Sequence, residues 1–298
     1  MPLTTSAKII NQSKNVVNKS IITTWLLEFP RCILPEFLTH RLMSKNTASS
    51  RAIPVQKMLE RTKDNPFIPH YWGKNKPGMS ANQEIKNKSM AQLTWTAALD
   101  SALYYSDYLS VLDVHKQLAN RITEPFQYIQ MVMTTTSDLN FFKLRCDPNA
   151  QPEIQELANL MVEAKEKYLD YHLLEPGEWH LPFITDGEIY SYSLSELLIV
   201  SCARCARVSY LLMDGTPSNF EKDLELANRL KNSGHFSPFE HAAVALPNND
   251  MVGNFVGWMQ YRKFIENEDS SDLLQVEQIL TPAQAKEKYS TYYPELHQ

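Results

Sequence analysis

The segment IITTWLLEFPRCILPEFLTHRLMSKNTASSR, residues 21–51, changes character twice along its length. Its first nine residues are rich in β-branched and aromatic side chains and end at Pro30, a pattern that predicts a β-strand. Apolar residues then recur at helical spacing between residues 33 and 42, which predicts a helix. This helix is expected to carry His40 and Arg41 on its last turns.

The end of the same segment concentrates hydrogen-bond donors in a chain of negative overall charge. Residues 47–51 are predicted to form a loop, in which Ser49, Ser50 and Arg51 place two hydroxyl groups beside a guanidinium. Hydroxyl groups donate hydrogen bonds, and an arginine can bind a phosphate through two parallel ones. A local cluster of this kind can therefore hold one phosphate.

The composition limits what kind of protein this is. The chain has 298 residues, of which 43% are hydrophobic and 21% charged, the range of a soluble globular protein with a real core. Its net charge of -5 argues against direct, non-specific binding to nucleic acid. No stretch approaches the ~20 apolar residues of a membrane span, and no signal peptide is evident. Four cysteines are too few for a disulfide scaffold, so a cytoplasmic location is predicted.

Common nucleotide loops and metal motifs do not occur in the sequence. Glycine is scarce, with 8 residues, and neither G-x-G-x-x-G nor G-x-x-x-x-G-K-[ST] is present. A nucleotide or flavin, if bound, must therefore be held by side chains and helix ends. Cys202 and Cys205 lack a second C-x-x-C and fall on a predicted helix, which favours buried thiols over a zinc or redox site. No metal site is predicted.

Patterns elsewhere in the chain predict a mixture of strands and helices. Residues 1–20 are polar and are predicted to form a loose arm. Two capping boxes, Ser193 with Glu196 and Ser218 with Glu221, mark helix starts. Strands are predicted at 126–136 and 242–246, and helices at 83–118, 138–145, 151–168, 193–208, 218–232 and after Pro247.

Residues 242–268, AAVALPNNDMVGNFVGWMQYRKFIENE, echo the opening segment. Both are interpreted as strand, proline and helix, followed by an arginine and, five residues later, an asparagine. Arg262 thereby pairs with Arg41, and Asn267 with Asn46. The matched order favours an internal repeat over coincidence between two amphipathic helices that end in basic residues.

Four separate segments together resemble a known family. They are HRLMSKNTASSR (40–51), NFFKLRCDPNAQPEI (140–154), ARVSY (206–210) and GHFSPFEH (234–241). They look like the four hallmark segments of the flavin-dependent thymidylate synthases, whose central signature is R-H-R-x-x-S-x-N-E-x-S-x-R. In that family the last two segments come first, so the order here resembles a circularly permuted, phage-type member. A trimmed tandem copy would explain the echo.

The resemblance implies an α+β fold with a mainly antiparallel central sheet flanked by helices, circularly permuted, in one intertwined catalytic domain over 1–298. Residues 1–170 would carry the first two segments, 171–192 a linker, 193–268 the other two and the degenerate repeat, and 269–298 a tail. It also implies FAD, with NADPH and methylenetetrahydrofolate as co-substrates. A homo-oligomer, tetramer or dimer, would place its sites at subunit interfaces. A phage-encoded chain would work in the host cytoplasm.

The resemblance also implies roles for individual residues. Arg145 would contact the pyrimidine and favour its enolate-like form, an electrostatic role. His40 and Arg41 would lie at the flavin and folate side, and with Arg145 they are the predicted catalytic residues. The residues expected to bind a pyrimidine deoxynucleotide monophosphate are Ser49, Ser50, Arg51 and Arg145. Those expected to bind flavin are Arg41, Asn140, Leu144, His235, Ser237 and Glu240.

Departures from the family signature concern the substrate and the flavin phosphates. Thr39 stands in place of the first arginine, and Thr47 in place of a glutamate beside the nucleotide. Thr134 and Thr136 stand where many members have an asparagine and a flavin-phosphate arginine. Loss of a carboxylate beside a pyrimidine can change which base is accepted. Glu268, in the second copy, is hypothesised to supply that carboxylate and to bind substrate.

The simplest implied reaction converts dUMP to dTMP. The same chemistry on dCMP or dUMP can end in a hydroxymethyl or hydroxyl product for modified DNA, because a C5-methylene intermediate is either reduced or trapped by water. The substituted residues also leave open a non-catalytic nucleotide-binding homologue.

Overall fold

The computed structural model describes residues 4–78, 80–81, 83–169, 171–210 and 219–265. Within them the fold is α+β with mainly antiparallel sheets, as predicted. The strands are β1 (Ser6–Asn15), β2 (Ile21–Pro30), β3 (Ser44–Thr47), β4 (Tyr128–Thr135), β5 (His172–Leu174), β6 (Trp179–His180), β7 (Ala243–Ala245), β8 (Met251–Val252), β9 (Phe255–Val256) and β10 (Trp258–Gln260). The α-helices are α1 (Leu34–Leu38), α2 (Val55–Asp64), α3 (Lys88–Val111), α4 (Lys116–Ala119), α5 (Leu139–Arg145), α6 (Pro152–Lys167), α7 (Asp186–Ile189), α8 (Leu194–Ala206) and α9 (Phe220–Asn232).

A five-stranded sheet in the order β3-β4-β2-β1-β5 forms the centre of the fold. Neighbouring strands are antiparallel except β1 and β5, which are parallel. Alternate residues of β2 point to opposite faces of the sheet. On the first face Trp25, Leu27 and Phe29 are fully buried and belong to one apolar core with Ile154 and Leu157 of α6.

The second face of the sheet packs against the late part of the chain, residues 171–265. Ile22 of β2 forms a buried cluster with Ala243, Ala245 and Trp258. These three residues lie on β7 and β10, which form a second, three-stranded sheet with β6. Val132 of β4 packs on the same side against the end of α8. The central sheet is therefore buried on both faces, and its second face joins the early and late parts of the chain.

Residues 6–15 form strand β1, so the prediction of a loose arm there is wrong. The strand is hidden in the sequence because its buried residues, apart from Ile9, are polar. Gln12, Ser13 and Asn15 are at most 4% exposed. Each makes an interior side-chain hydrogen bond, to β2, to β6 and to the carbonyl after β7 respectively. These partners satisfy the polar groups that a sequence pattern assigns to solvent.

The helix predicted in the opening segment is shorter than expected. Helix α1 ends at Leu38, so His40 and Arg41 lie in the turn beyond it rather than on its last turns. Leu38 and Leu42 are 48% and 42% exposed, so their apolar spacing does not mark a buried face. Residues 44–47 form β3, an edge strand that the polar composition conceals.

The helix predicted after Pro247 is replaced by strands β8, β9 and β10 in the described residues. Gly253 and Gly257 take φ angles of 61° and 75°, in the left-handed region that glycine adopts without strain. Gly253 lies in the two-residue loop between β8 and β9, and Gly257 precedes β10. The predicted repeat of strand, proline and helix is therefore wrong in its helix. Asn267 and Glu268 lie outside the described residues.

The other element predictions are partly confirmed. The Ser193 capping box starts α8. Helix α9 is capped by the Asn219 side chain, one residue beyond Ser218, which lies outside the described residues. The predicted linker, residues 171–192, contains β5, β6 and α7, and the helix predicted at 83–118 is divided into α3 and α4. Among the helices that the structure describes, none combines the length and apolarity needed to cross a bilayer.

We expect Gly257→Ala to destabilise the fold strongly. Its φ of 75° strains any residue with a Cβ, and that Cβ would lie 2.5 Å from Ser20 Oγ and 2.7 Å from Asn18 Nδ2. The expected loss in free energy of unfolding is about 2 to 4 kcal/mol, measured by urea denaturation. Gly187→Ala, within α7 and with open space around it, should leave stability unchanged or slightly raised. Equal effects of the two substitutions would contradict this account of the turn.

Candidate functional site

The first two sequence segments meet through a direct contact between their functional groups. Arg145 is the last residue of α5, and its Nε donates a hydrogen bond to Nε2 of His40, 3.0 Å away. The His40 ring also stands edge-on to the Phe141 ring, with 4.9 Å between centroids. Because Nε2 accepts the hydrogen bond, the imidazole is neutral and carries its proton on Nδ1.

The surroundings of His40 are positively charged. Burial lowers the pKa of His40, and the cations Arg145 and Lys45 lower it further. Lys45, on β3, donates to the carbonyl oxygen of His40 and lies 6.0 Å from the Phe37 ring centroid. Burial lowers the pKa of Lys45 to about 8, and Glu240 opposes this shift. A neutral histidine between two cations suits an anionic or electron-rich ligand.

The other two segments also reach the opening segment. The backbone N–H of Ser49 donates to the carbonyl oxygen of Ser209, in ARVSY, across 3.2 Å. The Asn46 side-chain amide lies 3.1 Å from Nε2 of His241, the last residue of GHFSPFEH. All four segments therefore meet around β3 and the loop that follows it.

The loop of residues 49–51 is held from inside the protein. The Asn120 side chain donates to the carbonyl oxygen of Ser50, 2.7 Å away. The Ser50 hydroxyl donates to Glu124 across 2.9 Å, and Ser50 is only 2% exposed. Arg51 is exposed and Ser49 is half-buried. Ser49 and Arg51 are therefore the loop side chains that an incoming phosphate can reach most directly.

The residues expected to bind flavin lie at the surface, with one exception. Leu144 is 50% exposed, and Leu139 on the same helix is 80% exposed. Glu240 is half-buried and forms an ion pair with Arg262, the arginine of the predicted repeat. The other, exposed members are Arg41, Asn140, His235 and Ser237.

The two threonines of β4 and its end that depart from the family pattern contact other parts of the chain. Thr134 is fully buried, with its Oγ1 2.7 Å from Thr24 Oγ1 and 2.9 Å from His241 Nδ1. Thr136 Oγ1 accepts a hydrogen bond from the backbone N–H of Val256 across 2.9 Å. Both positions hold the late part of the chain in place, so flavin phosphates would need other partners.

Two residues with unusual surroundings, Lys45 and Glu36, are not among the site residues predicted from the sequence. Lys45 has no distinguishing sequence signal, because only its burial beside His40 shifts its pKa. One carboxylate oxygen of Glu36, in α1, is buried and has no hydrogen-bond partner among the described residues. Glu36 contributes, after burial and Glu153, to the raised pKa of the Cys32 thiol, so its carboxylate lies near Cys32.

A separate cavity of about 1020 Å³ lies between the loop of residues 65–85 and helix α6. Trp72 and Trp95 line one side of it, and Glu153 and Glu156 line the other. The lining residues that the structure describes include no lysine or arginine. This cavity therefore does not suit a phosphate-bearing ligand, unlike the cationic surroundings of β3.

The cysteines are buried, as predicted. Cys202 and Cys205 are both 0% exposed in α8, and burial raises the pKa of both thiols. Thiols of this kind are poor nucleophiles and poor metal ligands. In the described part of the chain, no group of three or more His, Cys, Asp or Glu side chains is arranged to hold a metal ion.

Comparison with known proteins identifies the family. The model of the family described as thymidylate synthase complementing protein matches residues 6–169 of the 298. The chain belongs to this family. The matched region of this chain contains His40, Arg145 and the loop of residues 49–51. It ends before ARVSY and GHFSPFEH. The circular permutation and the phage origin stay predictions.

Individual relatives cover parts of the chain. A flavin-dependent thymidylate synthase from Thermosipho melanesiensis (strain DSM 12029 / CIP 104789 / BI429) is 30% identical over 145 residues, which are 46% of this chain and 60% of the relative. The chain thus spans less than two thirds of that curated relative. Two structures of a UMP/dUMP methylase PolB from Streptomyces cacaoi, bound with 5-Br dUMP and 5-Br UMP, have TM-scores of 0.46 and 0.47 at 15% and 17% identity. They cover 56% and 55% of this chain and 92% and 90% of their own.

We expect Arg145→Gln to raise the pKa of His40, because it removes one of the two cations that disfavour the imidazolium. The pKa should stay below its ordinary value, since burial, the larger cause, remains. An NMR titration of the His40 ring measures the change. Lys143→Gln, an exposed cation on the same helix, is the matched control and should leave the His40 pKa unchanged. A His40 pKa that is unchanged by Arg145→Gln would contradict the contact between the two side chains.

Proposed function

We propose that this chain is a flavin-dependent enzyme that modifies C5 of a pyrimidine deoxynucleotide monophosphate. The simplest form of the reaction converts dUMP to dTMP with methylenetetrahydrofolate and NADPH. The observation that carries the proposal is the hydrogen bond between Arg145 and His40 beside β3, where all four segments meet. Membership of the family supports it independently.

The nucleotide is proposed to bind along β3 and the loop after it. Arg51 is exposed and Ser49 half-buried, so both can reach a phosphate, which Arg51 can bind through two hydrogen bonds. Arg145, oriented by its Nε–H on His40, can direct its terminal N–H groups at a pyrimidine carbonyl oxygen. A fixed cation at that oxygen stabilises the enolate-like form that makes C5 nucleophilic.

The exposed groups near β3 fit a flavin, which combines a flat apolar ring with polar edges and phosphates. Leu139 and Leu144 offer apolar surface, and His235 and Ser237 offer hydrogen-bonding groups. Arg41 offers an exposed cation for the charged part of the cofactor. When bound, FAD would supply the hydride that reduces the C5 substituent. The protein's own side chains would bind it, orient it and keep His40 neutral beside it.

A homo-oligomer, tetramer or dimer, is proposed to complete the site. In the single chain the expected flavin-binding residues of α5, Asn140 and Leu144, are exposed, as is the neighbouring Leu139. Exposed apolar side chains next to functional groups are typical of a surface that another molecule covers. A second copy covering this surface would enclose the flavin between subunits.

The accepted base depends on a carboxylate near the pyrimidine. Thr47 removes the family's carboxylate from β3, and Glu268 lies outside the described residues. A carboxylate can accept from the N3–H of uracil or from the amino group of cytosine. Methylation of dUMP and hydroxymethylation or hydroxylation of dCMP or dUMP are therefore separate outcomes of the test below.

The test incubates the purified protein with FAD, NADPH and methylenetetrahydrofolate, and supplies dUMP and dCMP in parallel reactions. We expect a yellow protein and a product with the mass of dTMP from dUMP. Arg145→Gln should lower turnover by about 100-fold, because it removes the cation at the pyrimidine oxygen. Lys143→Gln should retain full activity.

Two results would contradict this proposal in different ways. A colourless protein that takes up no added FAD would favour the non-catalytic nucleotide-binding homologue. A protein that binds FAD but yields only a hydroxymethyl or hydroxyl product would replace the synthase with the related modifying enzyme.

A further inference from the structure

A row of polar side chains crosses the second face of the central sheet. The strand register places Asn11 of β1, Thr24 of β2, Thr134 of β4 and Ser44 of β3 side by side. All four make hydrogen bonds that lead into the late part of the chain. At the two ends of the row, Asn11 donates to the carbonyl oxygen after β6 and Ser44 accepts from β10.

The centre of the row is a continuous buried chain of hydrogen bonds that includes two histidines. His241 Nδ1 is 2.9 Å from Thr134 Oγ1, which is 2.7 Å from Thr24 Oγ1. Thr24 Oγ1 is 2.8 Å from His180 Nε2, and His180 Nδ1 is 2.8 Å from Ser13 Oγ. All five residues are at most 1% exposed, so no solvent competes for these bonds.

Asn46 continues this chain to the turn of residues 235–240, which we call the flavin turn. The best-satisfied orientation of the Asn46 amide directs its nitrogen at the carbonyl oxygens of Lys45 and Ser237, both 3.2 Å away, and at His241 Nε2, 3.1 Å away. In the opposite orientation the amide oxygen would face only acceptors. His241 Nε2 therefore accepts, and its ring proton is on Nδ1.

With Asn46 in this orientation, donation runs in one direction along the row of hydrogen bonds. His241 donates to Thr134, Thr134 to Thr24, Thr24 to His180, and His180 to Ser13, so each threonine hydroxyl accepts once and donates once. Burial is the largest cause that lowers the pKa of both histidines to about 3, and His172 and His241 contribute to the shift of His180. Both rings are neutral. A fully satisfied neutral chain in a dry interior allows one arrangement of its members.

We propose that Thr134 is a positioning residue that sets the place of the flavin turn against β3, acting through His241 and Asn46. The inference rests on the proposed function, because the flavin turn is expected to bind FAD. The loop of residues 49–51, proposed to bind the nucleotide phosphate, is held separately by hydrogen bonds to the segment of residues 120–126. Loss of the Thr134 hydroxyl, which interrupts this row of hydrogen bonds, should therefore weaken FAD binding and spare nucleotide binding.

Thr23 provides a matched control for a general loss of stability. It is the neighbour of Thr24 on β2 but points to the first face of the sheet. It is 1% exposed, and its hydroxyl accepts a hydrogen bond from Gln12 across 2.9 Å. Thr23→Val thus removes a buried hydroxyl of the same kind from the same sheet but leaves the row of hydrogen bonds through Thr24 and Thr134 intact.

The experiment compares the wild type with Thr134→Val, Thr134→Ser and Thr23→Val. FAD affinity is measured by flavin fluorescence, dUMP affinity by calorimetry, and stability by thermal unfolding. Thr134→Val should weaken FAD binding by about tenfold or more and change dUMP affinity by less than about twofold, because a buried partner is left unsatisfied on the flavin side only. Thr134→Ser should restore FAD affinity, and Thr23→Val should retain it despite a similar loss of stability.

The results separate this inference from the proposed function. If the wild type binds FAD and Thr134→Val and Thr23→Val weaken it equally, Thr134 is merely structural and the inference is wrong. Failure of Thr134→Ser to restore affinity would also overturn it, since the hydroxyl is the group invoked. If the wild type binds no FAD, the proposed function itself fails, and the inference fails with it.

Discussion

The pairing of one short edge strand, β3, with β4 positions the turn that carries His40 and the loop of residues 49–51. Four residue pairs join Ser44–Thr47 to Thr134–Met131. A four-residue edge strand has little stability of its own, so its position depends on the interior hydrogen bonds of Ser44 and Asn46. His40 lies in the turn before β3, and the loop of residues 49–51 follows β3. Once β3 is placed, the distance between the His40–Arg145 pair and the loop is set.

The two faces of the central sheet contribute differently to this arrangement. The first face buries large apolar side chains against α6 and supplies most of the nonpolar stabilisation. The second face combines a smaller apolar cluster with the polar row. Apolar contact tolerates small shifts, whereas buried hydrogen bonds penalise any register that leaves a polar group unpartnered. The second face can therefore hold ARVSY and GHFSPFEH at β3, although both follow the other segments in the chain.

The limits of prediction from sequence follow from the same physics. Strand β2, helix α5, helix α6 and the Ser193 cap were predictable because burial there follows apolar periodicity or local capping. Strands β1 and β3 were not, because most of their buried residues are polar and several of these hydrogen-bond to the late part of the chain. The helix expected after Pro247 does not form, because Gly253 and Gly257 adopt left-handed φ angles that favour turns between short strands. At the site, motif resemblance indicated His40 and Arg145, whereas the lowered pKa of Lys45 depends on tertiary burial, which the sequence does not show.

The positive surroundings of β3, in a chain with a net charge of -5, fit two anionic ligands side by side. We propose that nucleotide and flavin bind side by side at this one site. Titration of dUMP into the FAD-loaded protein, followed by flavin absorption, tests it most directly. We predict a saturable change in the flavin spectrum, because a pyrimidine held by Arg145 would lie against the flavin ring. An unchanged flavin spectrum at saturating dUMP, with both ligands bound, would contradict a shared site.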